Sequence, residues 1–241
     1  MRPSPRHPKL ITVLLAAIVL VFFADILAVS AAADPLPTNT TGAVLAPISP
    51  SSISRPYTHS ALSLSTRLLD QAGQPIPNAR VDILQEVADS SHMQLIGSVL
   101  TRTDGSLTAN IPAGPSRLID LAYPASEGGA YVTQTEVFES VTAGLQLRVT
   151  PRRTTPTGTV QLEGHVLGVI PTQGVVVEVL VYYLGEWQPI RTPRTTPDGQ
   201  LRLSYRFHKA RGQFPFRLRV RYGQTGFPYG EACSRWVEVL A

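Results

Sequence analysis

The chain repeats itself, and that limits its architecture more than any other feature. Ile76-Pro77 recurs as Ile170-Pro171, 94 positions on. At the same offset Val81 meets Val175, Gln94 meets Gln188, Ile96 meets Ile190, Thr101 meets Thr195, Asp104-Gly105 meets Asp198-Gly199, and Leu107 meets Leu201. Self-similarity at a fixed, gap-free offset marks a duplicated structural unit. Two domains of one fold are therefore expected, at 57–150 and 151–241.

Each unit alternates with a period of two. Leu62, Leu64 and Leu68 share one face of an extended segment, and Leu107, Ala109 and Ile111 alternate with Ser106, Thr108 and Asn110. In the second unit Phe216, Leu218, Val220 and Tyr222 alternate with Arg217, Arg219 and Arg221. This is the pattern of half-buried strands. Pro and Gly, 21 and 18 residues, punctuate the chain too often for long helices. Asp104-Gly105 and Asp198-Gly199 supply the positive φ of tight hairpins. Short strands between such signals predict antiparallel sandwiches.

Gly73-Gln74-Pro75-Ile76-Pro77-Asn78-Ala79-Arg80-Val81, then Thr101-Arg102-Thr103-Asp104-Gly105-Ser106-Leu107, then Ile111-Pro112-Ala113-Gly114, resembles the carboxypeptidase-regulatory-like (transthyretin-like) β-sandwich modules of bacterial surface proteins. The resemblance covers most of 60–123. The second unit resembles the Ig-like modules that accompany them in exported proteins, although Thr172-Gln173-Gly174 stands where the first unit has Asn78-Ala79. The resemblance implies an all-β chain of two tandem Ig-like/transthyretin-like sandwiches. It also implies non-catalytic work as spacers, stabilisers or adhesive and sugar-binding repeats.

The N-terminus has the form of an export signal. Arg2, Arg6 and Lys9 precede an apolar run, 10–24, broken by Asp25 and ending at Ser30-Ala31-Ala32-Ala33. Ala31 and Ala33 fit cleavage before Asp34. If uncut, 10–33 would anchor the chain, with Asp25 at a cost in the membrane. Either way the remainder is exported, to the cell surface or beyond. Pro35, Pro37, Pro47, Pro50 and Pro56 among many Ser and Thr make 34–56 an expected semi-stiff spacer. The single Cys233 excludes an intrachain disulfide and is expected to be a small buried hydrophobe.

No catalytic constellation is apparent. The five histidines (His7, His59, His92, His165 and His208) are scattered, and none has a Cys or second carboxylate at ligand spacing. No nucleophile elbow, zincin helix or phosphate loop occurs. Asp82 and Glu86 fall on one strand face, and Glu136 and Glu139 on opposite faces, as expected of solvated sheets. Asp104 and Asp198 are too few for calcium. No enzyme activity, cofactor or metal is expected.

Charge and aromatic residues give the binding candidates. Residues 57–150 hold 5 Lys/Arg and 9 Asp/Glu, whereas 151–241 hold 12 and 6. Arg217, Arg219 and Arg221 share a face of one strand, Arg202 and Arg206 a face of another, and Lys209 and Arg211 lie between. If these strands pair, the sheet carries a cationic patch for an acidic wall polymer, a polysaccharide or another envelope protein. Nucleic acid is not an expected partner, and the membrane is one only through an uncut N-terminal segment. Tyr182, Tyr183 and Trp187, flanking Gly185-Glu186, could stack on sugars. The expected function is structural or interaction work at the cell envelope, with a carbohydrate-binding accessory role as the alternative.

Overall fold

The structure, a computed structural model, describes residues 42–124, 126 and 128–241. The expected export segment and the first part of the expected spacer lie outside the described residues. Among the described residues every regular element is a strand.

The first module contains β1 (Val44–Leu45), β2 (Ser52–Pro56), β3 (Leu62–Leu69), β4 (Arg80–Val87), β5 (Gln94–Leu100), β6 (Ser106–Ile111), β7 (Arg117–Pro124) and β8 (Tyr131–Thr142). One sheet runs β1-β3-β6 and the other β2-β8-β7-β4-β5. The second module contains β9 (Gly144–Thr150), β10 (Thr159–Leu167), β11 (Glu178–Tyr183), β12 (Glu186–Arg191), β13 (Gln200–Arg206), β14 (Gln213–Val220), β15 (Ala232–Cys233) and β16 (Val237–Leu240). Its sheets run β9-β10-β13 and β12-β11-β14, with β15 and β16 both on the free edge of β14. The two copies share one strand order, that of the immunoglobulin sandwich.

Alternation dictates the cores. Leu64, Leu68, Leu107, Ala109 and Ile111 meet Val81, Ile83, Ile119, Leu121 and Val137 in the first. Val160, Leu162, Val166, Val179, Phe216, Leu218 and Val220 build the second. The recurring Thr has the same task in both. Thr101 Oγ1 accepts the Ala79 N–H at 2.9 Å and donates to Ile76 O at 2.6 Å, while Thr195 Oγ1 accepts the Val175 N–H at 2.9 Å. Each hydroxyl thus satisfies a buried backbone group where two loops converge.

Several expectations are corrected. The stretch 34–56 is not a spacer throughout: it contains β1 and β2, and Ala43, Leu45 and Ile48 are buried in the first core. The sandwiches are not wholly antiparallel, because β2 runs parallel to β8, matched in the second copy by a parallel bridge between Arg153 and Leu240. Residues 144–150, assigned to the first unit, form β9 and pair with β10. The Asp-Gly turns carry the expected positive φ, 73° at Gly105 and 80° at Gly199, but each joins strands of opposite sheets. Glycine is also needed for close approach: a Cβ would stand 2.6 Å from Leu68 O at Gly105 and 2.2 Å from Val166 O at Gly199.

Candidate interaction surfaces

The junction is the most constrained part of the molecule. β8 ends at Thr142 and β9 begins at Gly144, so Ala143 alone separates the last strand of one module from the first of the next. Val141 and Ala143 are buried in the second core. The loop 227–230 then binds back across the boundary. The Gly230 N–H donates to Val141 O at 2.8 Å, the Ala143 N–H to Gly230 O at 3.2 Å, and the Ser116 N–H to Pro228 O at 2.9 Å. Tyr229 packs edge-on against Tyr57 of the first module, ring centroids 5.6 Å apart.

Just inside the first module a buried ion triad closes its core. Glu139 is fully buried; its Oε1 accepts from Arg55 Nε at 2.6 Å and its Oε2 from Arg117 Nε at 2.8 Å. Arg117, only 3% exposed, also donates to Gln85 Oε1 at 2.8 Å and to Pro112 O at 2.5 Å. Glu139 therefore belongs to no solvated face. A cleft of about 230 Å³ opens beside the junction, lined in part by Asp89, Ser116, Phe138, Ser140, Tyr222 and Phe227. It brings one carboxylate and no histidine to its wall, and among the described residues no trio of His, Cys, Asp or Glu is placed to hold a metal ion.

The predicted cationic residues divide between two surfaces. β13 pairs with β10, and β14 pairs with β11, β15 and β16. Arg202 and Arg206 therefore lie on the outside of one sheet, and Arg217 and Arg219 on the outside of the other. The connection 207–212, with exposed Lys209 and Arg211, crosses between sheets and buries Phe207 on the way. No single patch forms. Much of the charge is also answered locally: Arg219 and Arg221 both bind Glu178, at 2.5 and 2.6 Å, and Arg202 faces Glu163 at 3.6 Å.

Tyr182 and Trp187 are cross-strand partners, but their rings tilt 58° to one another. The guanidinium of Arg217 sits over the Trp187 ring, 4.0 Å from its centroid. Tyr183 turns the other way and stacks on Phe214. The three aromatics therefore do not form the flat, open platform that a sugar face requires. Two further side chains depart from expectation. Tyr222 is 78% exposed, because β14 ends at Val220. Cys233 is exposed, because pairing with Arg219 puts it on the outer face.

No family model matches the chain, and no curated protein matches it. Solved structures do.

The adhesin InvE of Yersinia pseudotuberculosis matches 84% of this chain over 60% of its own, with 14% identity and a TM-score of 0.38. Invasin, described as a bacterial integrin-binding protein, matches 82% of this chain over 38% of its own, with 14% identity and a TM-score of 0.39. The Escherichia coli adhesin FdeC matches 86% over 65%, with 12% identity and a TM-score of 0.33. The chain thus spans less than two thirds of the length of each of the three.

One surface was not visible in the sequence. An open groove of about 530 Å³ lies along β11 beside the turn that follows β14, and its walls include Arg194, Arg221, Glu178, Gln173, Gln224 and Thr192. These residues come from three separated segments. Only the period-two placement of Arg219 and Arg221 pointed to this face. On the first module the opposite charge collects: Asp120 is 3% exposed, its Oδ1 has no hydrogen-bond partner among the described residues, and Glu136 lies directly opposite on β8. Burial first, and Glu136 second, push Asp120 up to about 6.

Proposed function

We propose that this chain is a non-catalytic, exported module of the cell envelope. It would act as a stiff two-sandwich spacer whose basic second module meets acidic envelope polymers. The observation that carries the reading is the one-residue link at Ala143, fastened by the return hydrogen bonds of Pro228 and Gly230. Inter-domain surfaces within one chain ordinarily permit relative motion unless they are extensive and apolar. Here the linker has no free length, and residues of β8 are part of the second core. A rod of fixed angle is useful for holding a binding surface away from a membrane or wall, and it requires no chemistry of its own.

The export signal at 1–33 supplies the compartment in this reading. The resemblance of 60–123 to carboxypeptidase-regulatory-like modules agrees with a supporting role. The charge contrast between acidic first and basic second module would orient the rod against an anionic polymer.

The test is a distance. Spin labels at Ser65→Cys and Ser204→Cys, both exposed on outer sheet faces, in a Cys233→Ser background should give one narrow inter-module distance distribution. A broad or multimodal distribution would defeat the stiff-spacer reading. N-terminal sequencing of the exported product tests the compartment.

A further inference from the structure

We propose that the groove along β11 is a docking site for an oxyanion carried on a sugar chain, either a uronic carboxylate or a phosphodiester. This rests on the reading that the second module meets acidic polymers, and it places that contact at one site. The first support is charge. Arg194 and Arg221 line the groove and Arg219 flanks it, and among the described lining residues the one carboxylate is Glu178. Both oxygens of Glu178 are taken, by Arg219 and by Arg221.

The second support is unused donor capacity. Arg221 commits Nε to Glu178 and remains 64% exposed at its side chain. Arg194 commits Nη1 to Gly174 O at 3.0 Å and Gln173 O at 3.4 Å. The remaining N–H groups of both have no acceptor among the described residues, and a guanidinium presents them in the fork geometry that carboxylates and phosphates match.

The third support is that the groove is built in advance. Gln224 bonds twice to the backbone of Val176, accepting its N–H at 2.7 Å and donating to its carbonyl at 2.9 Å, as a neighbouring strand would. Gln173 Nε2 donates to Thr225 O at 3.2 Å. Side chains anchored this way lose little freedom on binding. The volume, about 530 Å³, exceeds what an isolated anion fills. The Thr192 hydroxyl and the second amide hydrogen of Gln173 suit sugar hydroxyls, and among the described residues no aromatic side chain lines the groove to anchor an apolar peptide. A flat bilayer does not enter a concave groove.

Calorimetric titration with polygalacturonate, poly(N-acetylglucosamine 1-phosphate) and neutral dextran separates the possibilities. One acidic glycan should bind, more weakly at high salt, and dextran should not. The polymer that binds identifies the oxyanion. Arg221→Gln and Arg194→Gln should each weaken binding about tenfold, with melting temperature unchanged for the exposed Arg221. The Arg202→Gln/Arg206→Gln pair, on the opposite sheet, should change affinity by less than about twofold. If both sets of variants weaken binding equally, general charge and not the groove is responsible. That outcome overturns the proposal while sparing polymer contact. Binding to anionic phosphatidylglycerol vesicles but to neither glycan also overturns it. If the wild-type chain binds no polyanion, polymer contact falls as well, while the narrow inter-module distance would still stand for the spacer.

Discussion

Replacing Tyr229 tests whether the junction is a structural lock. Tyr229 is 1% exposed. Its ring lies 5.6 Å from Tyr57 of the first module and 4.8 Å from Phe227 of its own, and its hydroxyl accepts the Val169 N–H at 3.0 Å. Gly168 lies so close beneath it that a Cβ would come within 2.6 Å of the ring. Truncating a buried aromatic leaves a cavity that such close-packed walls fill poorly, at a cost of about 3–5 kcal/mol. Tyr229→Phe keeps the ring and loses only the hydroxyl, leaving the Val169 N–H without its partner, so about 1 kcal/mol is expected. Over a body of this size the Ala variant should melt roughly 10 °C lower. Tyr229 stands within the loop that holds Val141, Ala143 and Ser116, so the Ala variant should also broaden the Ser65–Ser204 distance distribution, whereas the Phe variant should not. Urea denaturation and double electron–electron resonance give the two readouts. An Ala variant that loses less than about 1.5 kcal/mol would refute the packing argument. Full destabilisation with an unchanged distance distribution would show that strand continuity alone sets the stiffness.

Glu139→Gln should cost about 3–5 kcal/mol in urea denaturation, because it strands the buried Arg117 charge, whereas Glu163→Gln, which removes an exposed pair, should cost less than about 1. Asp120 is held above its unfolded value, so the folded chain binds the proton more tightly; stability should fall as pH rises from about 4 through 6. Asp120→Asn should remove that fall and be the more stable protein by on the order of 2 kcal/mol at neutral pH; parallel pH profiles for the two proteins would contradict it. Thr195→Val should cost about 1–3 kcal/mol by leaving the Val175 N–H unpaired, and Thr101→Val, which breaks two bonds, should cost more.

The residues themselves determined the duplication, the strands and the inward stripes. Period two is a local property, and the buried faces of Leu64–Leu68, Leu107–Ile111 and Phe216–Val220 follow from it directly. The equivalence of Thr101 and Thr195 was also legible, though its meaning as a paired backbone anchor was not. Tertiary structure decided everything that depends on which sheet a strand joins. Period two states which side chains share a face of one strand and is silent on the neighbour across the ladder, so the 207–212 crossover could send Arg202 and Arg217 to opposite surfaces. For the same reason Arg55, Arg117 and Glu139 meet although 84 residues separate the first from the last. The groove gathers Gln173, Glu178, Arg194 and Arg221 only after β12 and β14 have paired on either side of β11, because it is that pairing, and no local pattern, that brings their strand ends to one rim.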